Sequence, residues 1–204
     1  FISILKKLSF CFILFLGVAQ VSGQKDSITI NAQFYPEEKS IQINQTITYF
    51  NQSDKTLDRI KLLNWVAAYR DKGTALVKRK LEDRNNSLHF ASPKDLGKIS
   101  NLSVKISEHD ASTTNSLSEE NLFYTLDKPL QPGESVQLQM NYWVQLPNKK
   151  FTGYGISKDN VALKYFFIVP DHFDPDNISK RNYIDIEESA NFNTHWKVNF
   201  NLPT

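Results

Sequence analysis

The chain has 204 residues, of which 40% are hydrophobic and 23% charged, a composition that excludes collagen, a coiled coil and a wholly disordered chain. The formal net charge of +2 falls close to zero without Lys6 and Lys7, which lie in an N-terminal segment that we expect to be removed. This balance gives no general attraction to polyanions, so we expect no nucleic-acid partner.

The N-terminal segment has the pattern of a secretory signal peptide. The apolar run Leu8–Ala19 follows Lys6 and Lys7 and is shorter than the roughly 20 apolar residues that span a bilayer. We place cleavage after Gly23, with cleavage after Ala19 and an uncleaved anchor as the alternatives. We therefore expect an exported protein, in the periplasm, at the cell surface or outside the cell, with no integral membrane span after cleavage.

The domain that we expect over residues 24–204 contains no cysteine, because Cys11 lies in the signal segment, residues 1–23. A disulfide framework and a zinc site with thiolate ligands are therefore excluded after cleavage. Such a domain depends on its hydrophobic core, and about 180 residues are enough to form one.

Alternation of apolar and polar residues predicts most of the strands, because alternate side chains of a strand face opposite sides of a sheet. The predicted strands are Ile28–Phe34, Ile41–Tyr49, Leu57–Leu63, Leu88–Phe90, Leu102–Ile106, Leu122–Leu126, Val136–Val144 and Trp196–Leu202. Gln45 is the one polar residue on the apolar face of the second strand. The nearly continuous apolar run Val161–Pro170 indicates a strand covered on both faces, and Ile184 and Ile186 indicate a further short strand.

One helix interrupts this pattern. Thr74 can cap a helix over Ala75–Asp83 that turns Leu76, Val77 and Leu81 towards the core. Polar loops are expected at residues 108–120 and 149–160. About eight short strands joined by turns predict an all-β domain, a largely antiparallel β-sandwich with a short helical excursion.

The histidines do not form a recognisable metal site. His89, His109, His172 and His195 do not pair at a metal-ligand spacing, and no HExxH motif is present. His172 lies near Asp171, Asp174 and Asp176, which could form a weak divalent-cation loop. The favoured interpretation is a solvated acidic turn built by Asp, Asn and Pro. His195 stands at the start of a strand, and we expect it to be structural.

Other catalytic motifs are incomplete. The Gly153-Tyr154-Gly155 segment lacks the third glycine and the following Lys and Ser/Thr of a phosphate loop, so a loop hinge is the favoured interpretation. No serine lies in a GxSxG motif, and Glu187 and Glu188 would point to opposite faces of a strand. We therefore assign no catalytic, cofactor-binding or metal-ligating residue to this chain.

Two further groups of residues leave alternatives open. Trp65, Trp143 and Trp196 could line a sugar-binding face, but such residues more often fill a sandwich core. Five asparagines begin an N-x-S/T triplet: Asn44, Asn51, Asn85, Asn101 and Asn177. They would accept glycans only in a secretory system that uses this signal.

The order of several segments resembles a known domain. These segments are residues 28–34, the turn 37–41, residues 64–69, 76–79, 88–91 and 95–99, Leu130-Gln131-Pro132-Gly133-Glu134 before a strand that ends at Tyr142, an aromatic run that closes on Val169-Pro170, and Trp196–Pro203. Over nearly all of residues 27–204 the chain resembles the N-terminal domain of the M1 family of zinc aminopeptidases, in the branch common in Bacteroidetes.

This resemblance implies a saddle-shaped, largely antiparallel β-sandwich that packs against a thermolysin-like catalytic domain. In the family that domain carries the zinc, an HExxH motif and a downstream glutamate, none of which this chain contains. We therefore expect no cofactor in this chain, zinc in a downstream catalytic domain of the same polypeptide, and a sequence that stops before that domain. Peptide substrates would belong to the parent enzyme.

The chain also departs from the family pattern. Typical members carry a Thr-Gln pair and then Arg and Phe-Pro before an acidic turn, and the glutamine helps to bind the amino end of the substrate. The corresponding region here, Val161–Pro170, contains no glutamine or arginine. We therefore transfer no substrate-binding residue, and the resemblance leaves aminopeptidase specificity open.

Two functions follow from the sequence. The first is a non-catalytic N-terminal scaffold and cleft wall of an exported M1-like zinc metallopeptidase. Tyr165, Phe166 and Phe167, with the loop Asp171–Asn193 alongside, would supply an apolar patch for the catalytic domain. The second is a stand-alone secreted β-sandwich module that binds a glycan or a protein, with both sheet faces closed within the domain.

Overall fold

The computed structural model describes residues 25–111, 119–158, 160–176, 178–186 and 194–202. Two β-sheets pack against each other around one hydrophobic core. Eleven strands are described: β1 Ser27–Tyr35, β2 Ser40–Phe50, β3 Leu57–Leu63, β4 Lys98–Ile106, β5 His109–Ala111, β6 Asn121–Leu130, β7 Ser135–Gln145, β8 Gly155–Ile156, β9 Val161–Ala162, β10 Val169–Asp171 and β11 His195–Asn201. The predicted all-β sandwich is confirmed.

The larger sheet has the strand order β11-β1-β2-β7-β4-β5, and the smaller one has the order β10-β3-β6. Strands β8 and β9 form a separate two-stranded ribbon. Every strand pair is antiparallel except β1 with β11, which is parallel. No helix in the described part of the chain has the length and apolar character needed to cross a membrane.

The predicted apolar face of β7 lies in the core. Leu138, Met140 and Tyr142 are almost fully buried, whereas the outward-facing residues between them remain accessible. Leu138 pairs with Ile47 on one side and with Ile106 on the other, so a row of apolar side chains crosses three strands. Burying each such aliphatic side chain contributes about 1.5–3 kcal/mol, which ties the sheet to its partner layer.

The helical excursion begins as the sequence predicts. Helix α1, Ala75–Glu82, follows Thr74, whose hydroxyl accepts a hydrogen bond from the Val77 N–H at 3.3 Å. Leu76 and Val77 are buried. Leu81 was expected in the core, but it is 42% exposed because it lies in the last turn of a helix that packs through its first turn.

Four segments depart from the sequence prediction. Residues 88–90 form a turn with only Leu88 buried, and residues 184–186 form no strand. Strand β5 lies within the segment 108–120, which was expected to be a loop. The apolar run 161–170 contains only β9 and part of β10, because Tyr165 adopts a left-handed backbone with φ 62° that an extended strand does not allow.

Strand β11 forms one edge of the larger sheet. Its register places Trp196 beside Ile28, Val198 beside Ile30 and Phe200 beside Ala32. The β1 residues of these pairs are buried, but Trp196 and Val198 are 46% and 45% exposed. Neighbouring residues in register share one face of a sheet, so the core face continues onto β11, where the smaller sheet no longer covers it.

Candidate functional site

The described residues contain no group of three or more His, Cys, Asp or Glu side chains that could hold a metal ion. The histidines lie on different elements: His89 in a turn, His109 on β5, His172 after β10 and His195 at the start of β11. Glu187, Glu188 and Asn177 lie outside the described residues.

His172 pairs with a carboxylate that the sequence did not single out. Its Nε2 lies 2.6 Å from Oδ2 of Asp26, a buried residue just before β1. The other oxygen of Asp26, Oδ1, accepts a hydrogen bond from the Phe50 N–H at 2.8 Å. The Asp26 carbonyl accepts a further hydrogen bond from the His195 N–H at 2.9 Å. Asp26 therefore joins β1, the end of β2, the segment after β10 and the start of β11.

The imidazole of His172 also packs, tilted by 31°, against a buried tyrosine. The rings of His172 and Tyr49 are 4.9 Å apart, and Gln52 Nε2 approaches His172 Nε2 at 3.5 Å. Burial, with the carboxylates of Asp26 and Asp171 nearby, raises the pKa of the Tyr49 hydroxyl above its ordinary value. A carboxylate–imidazole pair can orient a base, but among the described residues no Ser or Thr hydroxyl is hydrogen-bonded to this imidazole, whose partners are Asp26 and Gln52. Through Asp26 the pair links the segment after β10 to β1, β2 and β11.

A lysine stands between the acidic side chains that could have bound a cation. Nζ of Lys55 lies 2.8 Å from Asp174 Oδ1 and 2.7 Å from Asp176 Oδ2. The hydrogen bond to Asp174, and after it the one to Asp176, raises the pKa of the Lys55 ammonium. The hydrogen bond from Lys55 lowers the pKa of the Asp174 carboxyl in the same way. The segment is an acidic turn with its own cation. A pocket of about 420 Å³ lies beside it, between His172, Phe173 and the β2–β3 turn.

A buried ion pair links the two strands β3 and β10. Lys61 Nζ lies 2.6 Å from Asp171 Oδ2, with both side chains almost fully buried. The Lys61 ammonium donates a hydrogen bond to the Ser179 carbonyl at 2.7 Å, and Arg181 Nη1 lies 3.5 Å from Asp171 Oδ1. Lys61 lies among the buried apolar residues of the second half of β3, which could have pointed to a buried ion pair. Its partner could not be identified from the sequence, because it lies far along the chain.

Gln45, the polar exception on β2, holds the segment before β10 against the larger sheet. Its amide donates to the Ile168 carbonyl at 2.6 Å and its oxygen accepts from the Tyr142 hydroxyl at 2.5 Å. The same hydroxyl accepts from the Ile168 N–H at 3.1 Å. Burial raises the pKa of the Tyr142 hydroxyl. This network is structural, because all of its polar atoms are satisfied inside the core.

The late aromatic run does not form the expected exposed patch. Phe166 is buried, and Tyr165 and Phe167 are partly buried against the core. The left-handed backbone at Tyr165 interrupts the extended chain within this run. Exposed apolar residues of the last part of the described chain are Ile178 and Ile186, in the loop after β10, and Trp196, Val198 and Leu202 on and after β11.

The three tryptophans lie in three different environments. Trp65 is buried, Trp196 is exposed on β11, and Trp143 lies half-buried on the outer face of the larger sheet. Among the asparagines of the N-x-S/T triplets, Asn44 and Asn101 are exposed and Asn85 is half-buried. Asn51 is buried, and its amide donates to the carbonyls of Lys55 and Leu130, so the folded chain cannot be glycosylated there.

Gly155 is needed for backbone geometry. Its φ is 124°, and a Cβ atom there would lie 2.0 Å from the Pro147 carbonyl oxygen. The residue therefore allows a close approach of two backbone segments, where the Ile156 N–H donates to the same carbonyl at 2.8 Å. Gly153 lies in the bend before β8, and Gly155 is the first residue of that strand rather than part of the predicted loop.

No family model and no curated protein matches the chain. Among solved structures, it is similar to an M1 zinc metallopeptidase from Deinococcus radiodurans, with 16% identity and a TM-score of 0.34 over 59% of this chain and 19% of that one. It is also similar to yeast LTA4 hydrolase, with 10% identity and a TM-score of 0.33 over 64% of this chain and 18% of that one.

A third similar structure, with 15% identity and a TM-score of 0.34, is a Legionella pneumophila protein proposed to bind nutrients. That match covers 60% of this chain and 38% of that one. The matched part of the chain thus spans about a fifth of the length of the Deinococcus metallopeptidase and of the yeast hydrolase. At these identities the likeness concerns the fold alone, and no residue role follows from it.

Proposed function

We propose that the chain is a non-catalytic N-terminal scaffold domain of an exported M1-like zinc metallopeptidase and forms one wall of its cleft. The zinc and the residues that act on peptides would belong to a catalytic domain further along the same polypeptide. In that domain the zinc would supply Lewis-acid chemistry for hydrolysis of a peptide bond. The present chain would hold the catalytic domain in place and form one wall of the cleft.

The observation that carries this proposal is the uncovered apolar face of β11. Trp196 and Val198 lie on the core side of the larger sheet, and the smaller sheet does not cover them. Exposed apolar residues that continue a core face are typical of a surface on which another domain packs. The order of segments that resembles the M1 N-terminal domain supports the same partner.

The proposal first requires that the coding sequence after Thr204 contain an HExxH motif within a few hundred codons. If it does, two variants on opposite sides of β11 test the contact. We would then compare Trp196→Lys, on the core side, with Asn199→Lys, on the outer side of the same strand. Trp196→Lys should destabilise the extended protein but not the 204-residue chain alone. Asn199→Lys should change neither, because the outer side would stay in solvent.

Hydrogen exchange provides the second measurement. Amides near Trp196 and Val198 should be protected more strongly in the extended protein than in the chain alone. A stop codon directly after Thr204 would refute the scaffold proposal and favour the stand-alone secreted module. Equal exchange in the two proteins would refute the proposed contact.

Export is a separate part of the proposal. Intact-mass and N-terminal peptide analysis of the protein from its native cells should show a chain that begins at Gln24. A chain that retains residues 1–23 would indicate an uncleaved anchor, and one that begins at Gln20 would indicate the alternative cleavage site.

A further inference from the structure

The outer face of the larger sheet carries continuous rows of side-chain amides. Asn199, Asn31, Asn44 and Asn141 stand directly beside one another on β11, β1, β2 and β7. All four are exposed, and Asn199 donates a hydrogen bond to Asn31 at 2.8 Å. Because neighbouring strands are about 4.8 Å apart, this row places an amide at regular intervals across four strands.

This face is free of charge across its three central strands. Outward-facing positions number five in β1, six in β2 and six in β7, and eight of them are Asn or Gln while none is Asp, Glu, Lys or Arg. At the chain's overall charged share of 23%, about four of these 17 positions would carry a charge. The charged residues border these strands: Lys197 lies on β11 and Lys105 on β4, and Glu108, just after β4, accepts a hydrogen bond from Gln139 of β7 at 2.7 Å.

An aromatic pair lies at one end of the same face. The rings of Tyr35 and Trp143 are 5.1 Å apart, and both side chains are half-buried. Trp143 stands beside Gln42, which accepts a hydrogen bond from the Tyr35 hydroxyl at 3.3 Å. The amide rows therefore lead directly to an apolar platform. The segment 93–96 borders the face at this end, where Gln145 Nε2 donates to the carbonyls of Pro93 and Leu96 at 3.2 and 2.8 Å.

These groups suit a neutral, hydroxyl-rich ligand. Each side-chain amide offers two N–H donors and one carbonyl acceptor, which match sugar hydroxyls that both donate and accept. An aromatic ring offers an apolar surface for the C–H side of a sugar ring. A phosphate or carboxylate ligand would find no cation on the three central strands, and an apolar protein surface would have to desolvate eight amides.

We propose that the outer face of β1, β2 and β7 binds a neutral polysaccharide, with Trp143 and Tyr35 as the stacking platform and the asparagine row as the hydrogen-bonding track. The binding surface lies on the opposite side of the sheet from Trp196 and Val198. A polysaccharide could therefore bind with or without a domain that packs on the core side of β11.

Affinity electrophoresis of the full chain tests this proposal directly. Native gels would contain mixed-linkage β-glucan, hydroxyethyl cellulose, galactomannan or amylopectin, with polygalacturonate as the anionic comparison. At least one neutral polysaccharide should retard the chain, and polygalacturonate should not. Trp143→Ala should weaken that binding about tenfold, because one aromatic contact is worth up to about 1.5 kcal/mol.

Two further variants separate binding from folding. Asn44→Ala removes an exposed amide in the middle of the row, so the variant should fold normally and still bind several-fold more weakly. Trp196→Ala is the matched control, an exposed tryptophan on the other face, and it should bind as the unmodified chain does. Thermal unfolding would confirm that the Asn44 and Trp196 variants keep the fold.

Several outcomes would overturn the proposal. One is that none of the four neutral polysaccharides retards the folded chain. Another is that Asn44→Ala and Trp143→Ala bind as tightly as the unmodified chain does. Concentration-dependent self-association that Asn44→Ala abolishes would assign the face to a second copy of the chain. Loss of binding in Trp196→Ala alone would place the polysaccharide on the core side instead.

Discussion

The buried pair of Lys61 and Asp171 allows a sharp test of how the smaller sheet is held together. Asp171→Asn keeps the shape of the side chain but leaves the Lys61 ammonium without a negative partner in a buried site. Removing one member of a buried pair costs about 3–5 kcal/mol, because the remaining charge is desolvated and unpaired. We therefore expect Asp171→Asn to lower the free energy of unfolding by that amount.

The surroundings of the pair predict an asymmetry between the two single variants. Lys61→Met leaves the Asp171 carboxylate with Arg181, whose Nη1 lies 3.5 Å away and whose side chain is partly exposed. In Asp171→Asn, the Lys61 ammonium keeps only uncharged acceptors, the Ser179 carbonyl and the amide oxygen introduced at position 171. Lys61→Met should therefore cost less than Asp171→Asn, about 2–3 kcal/mol.

The double variant decides whether the charges act as a pair. Lys61→Met with Asp171→Asn removes both charges, and replacement of a buried pair is often neutral or stabilising. We expect it to recover most of the loss seen in Asp171→Asn. With a residual loss of about 1 kcal/mol, the interaction energy between the two positions would be about 4–7 kcal/mol.

Urea unfolding followed by tryptophan fluorescence measures these differences. With an m-value of about 2 kcal/mol/M, a loss of about 4 kcal/mol moves the midpoint by about 2 M. Losses that simply add in the double variant would refute the reasoning, since independent sites show no interaction energy. Equal m-values for all four proteins would show that the comparison concerns stability alone.

Three further predictions concern the core, the helix and the acidic turn. Leu138→Asp should prevent cooperative folding, measured by thermal unfolding, whereas Gln137→Asp on the outer side of the same strand should be tolerated; a folded Leu138→Asp protein would contradict the strand register. Thr74→Ala should cost about 1 kcal/mol in urea unfolding, because the first turn of α1 loses its cap, and an unchanged midpoint would show that the cap is dispensable. Lys55→Met should return the pKa of Asp174 towards its ordinary value of 3.8 in an NMR titration. Because the pKa of Asp174 is lower in the folded chain than in the unfolded chain, its ionisation stabilises the fold above pH 3.8. This stabilisation is lost as the pH falls from 3.8 through the pKa of the folded chain, so the stability of Lys55→Met should depend less on pH over that interval.

Several parts of the fold could be predicted because they depend on local pattern. In β1, β2 and β7, one face is apolar and the other is uncharged and polar, and this alternation marks both the strand and the side that is buried. Helix α1 was predicted from Thr74, since an N-cap and the residues that follow it act within one turn. The polar exception Gln45 was visible as well, although its partners were not.

The segments that escaped prediction depend on distant contacts. The apolar run 161–170 has the composition of a buried strand, but its side chains are buried through a bend at Tyr165 that packs them against the sandwich. Periodicity cannot distinguish these two ways of burying the same residues. For this reason the run was predicted to carry an exposed apolar patch. In the structure Phe166 is buried, and Trp196 and Val198 on β11 are exposed.

The all-β class, the positions of the long strands and the face that each of them buries can be read from the order of residues, because they follow from the alternation of side chains along an extended backbone. The contact of Asp26 with His172 across 146 residues, the pair of Lys61 and Asp171, and the row of four asparagines arise only when the chain is folded. Such contacts arise from the order and register of strands, and register is set by how two distant surfaces bury their apolar sides together rather than by any neighbouring residue.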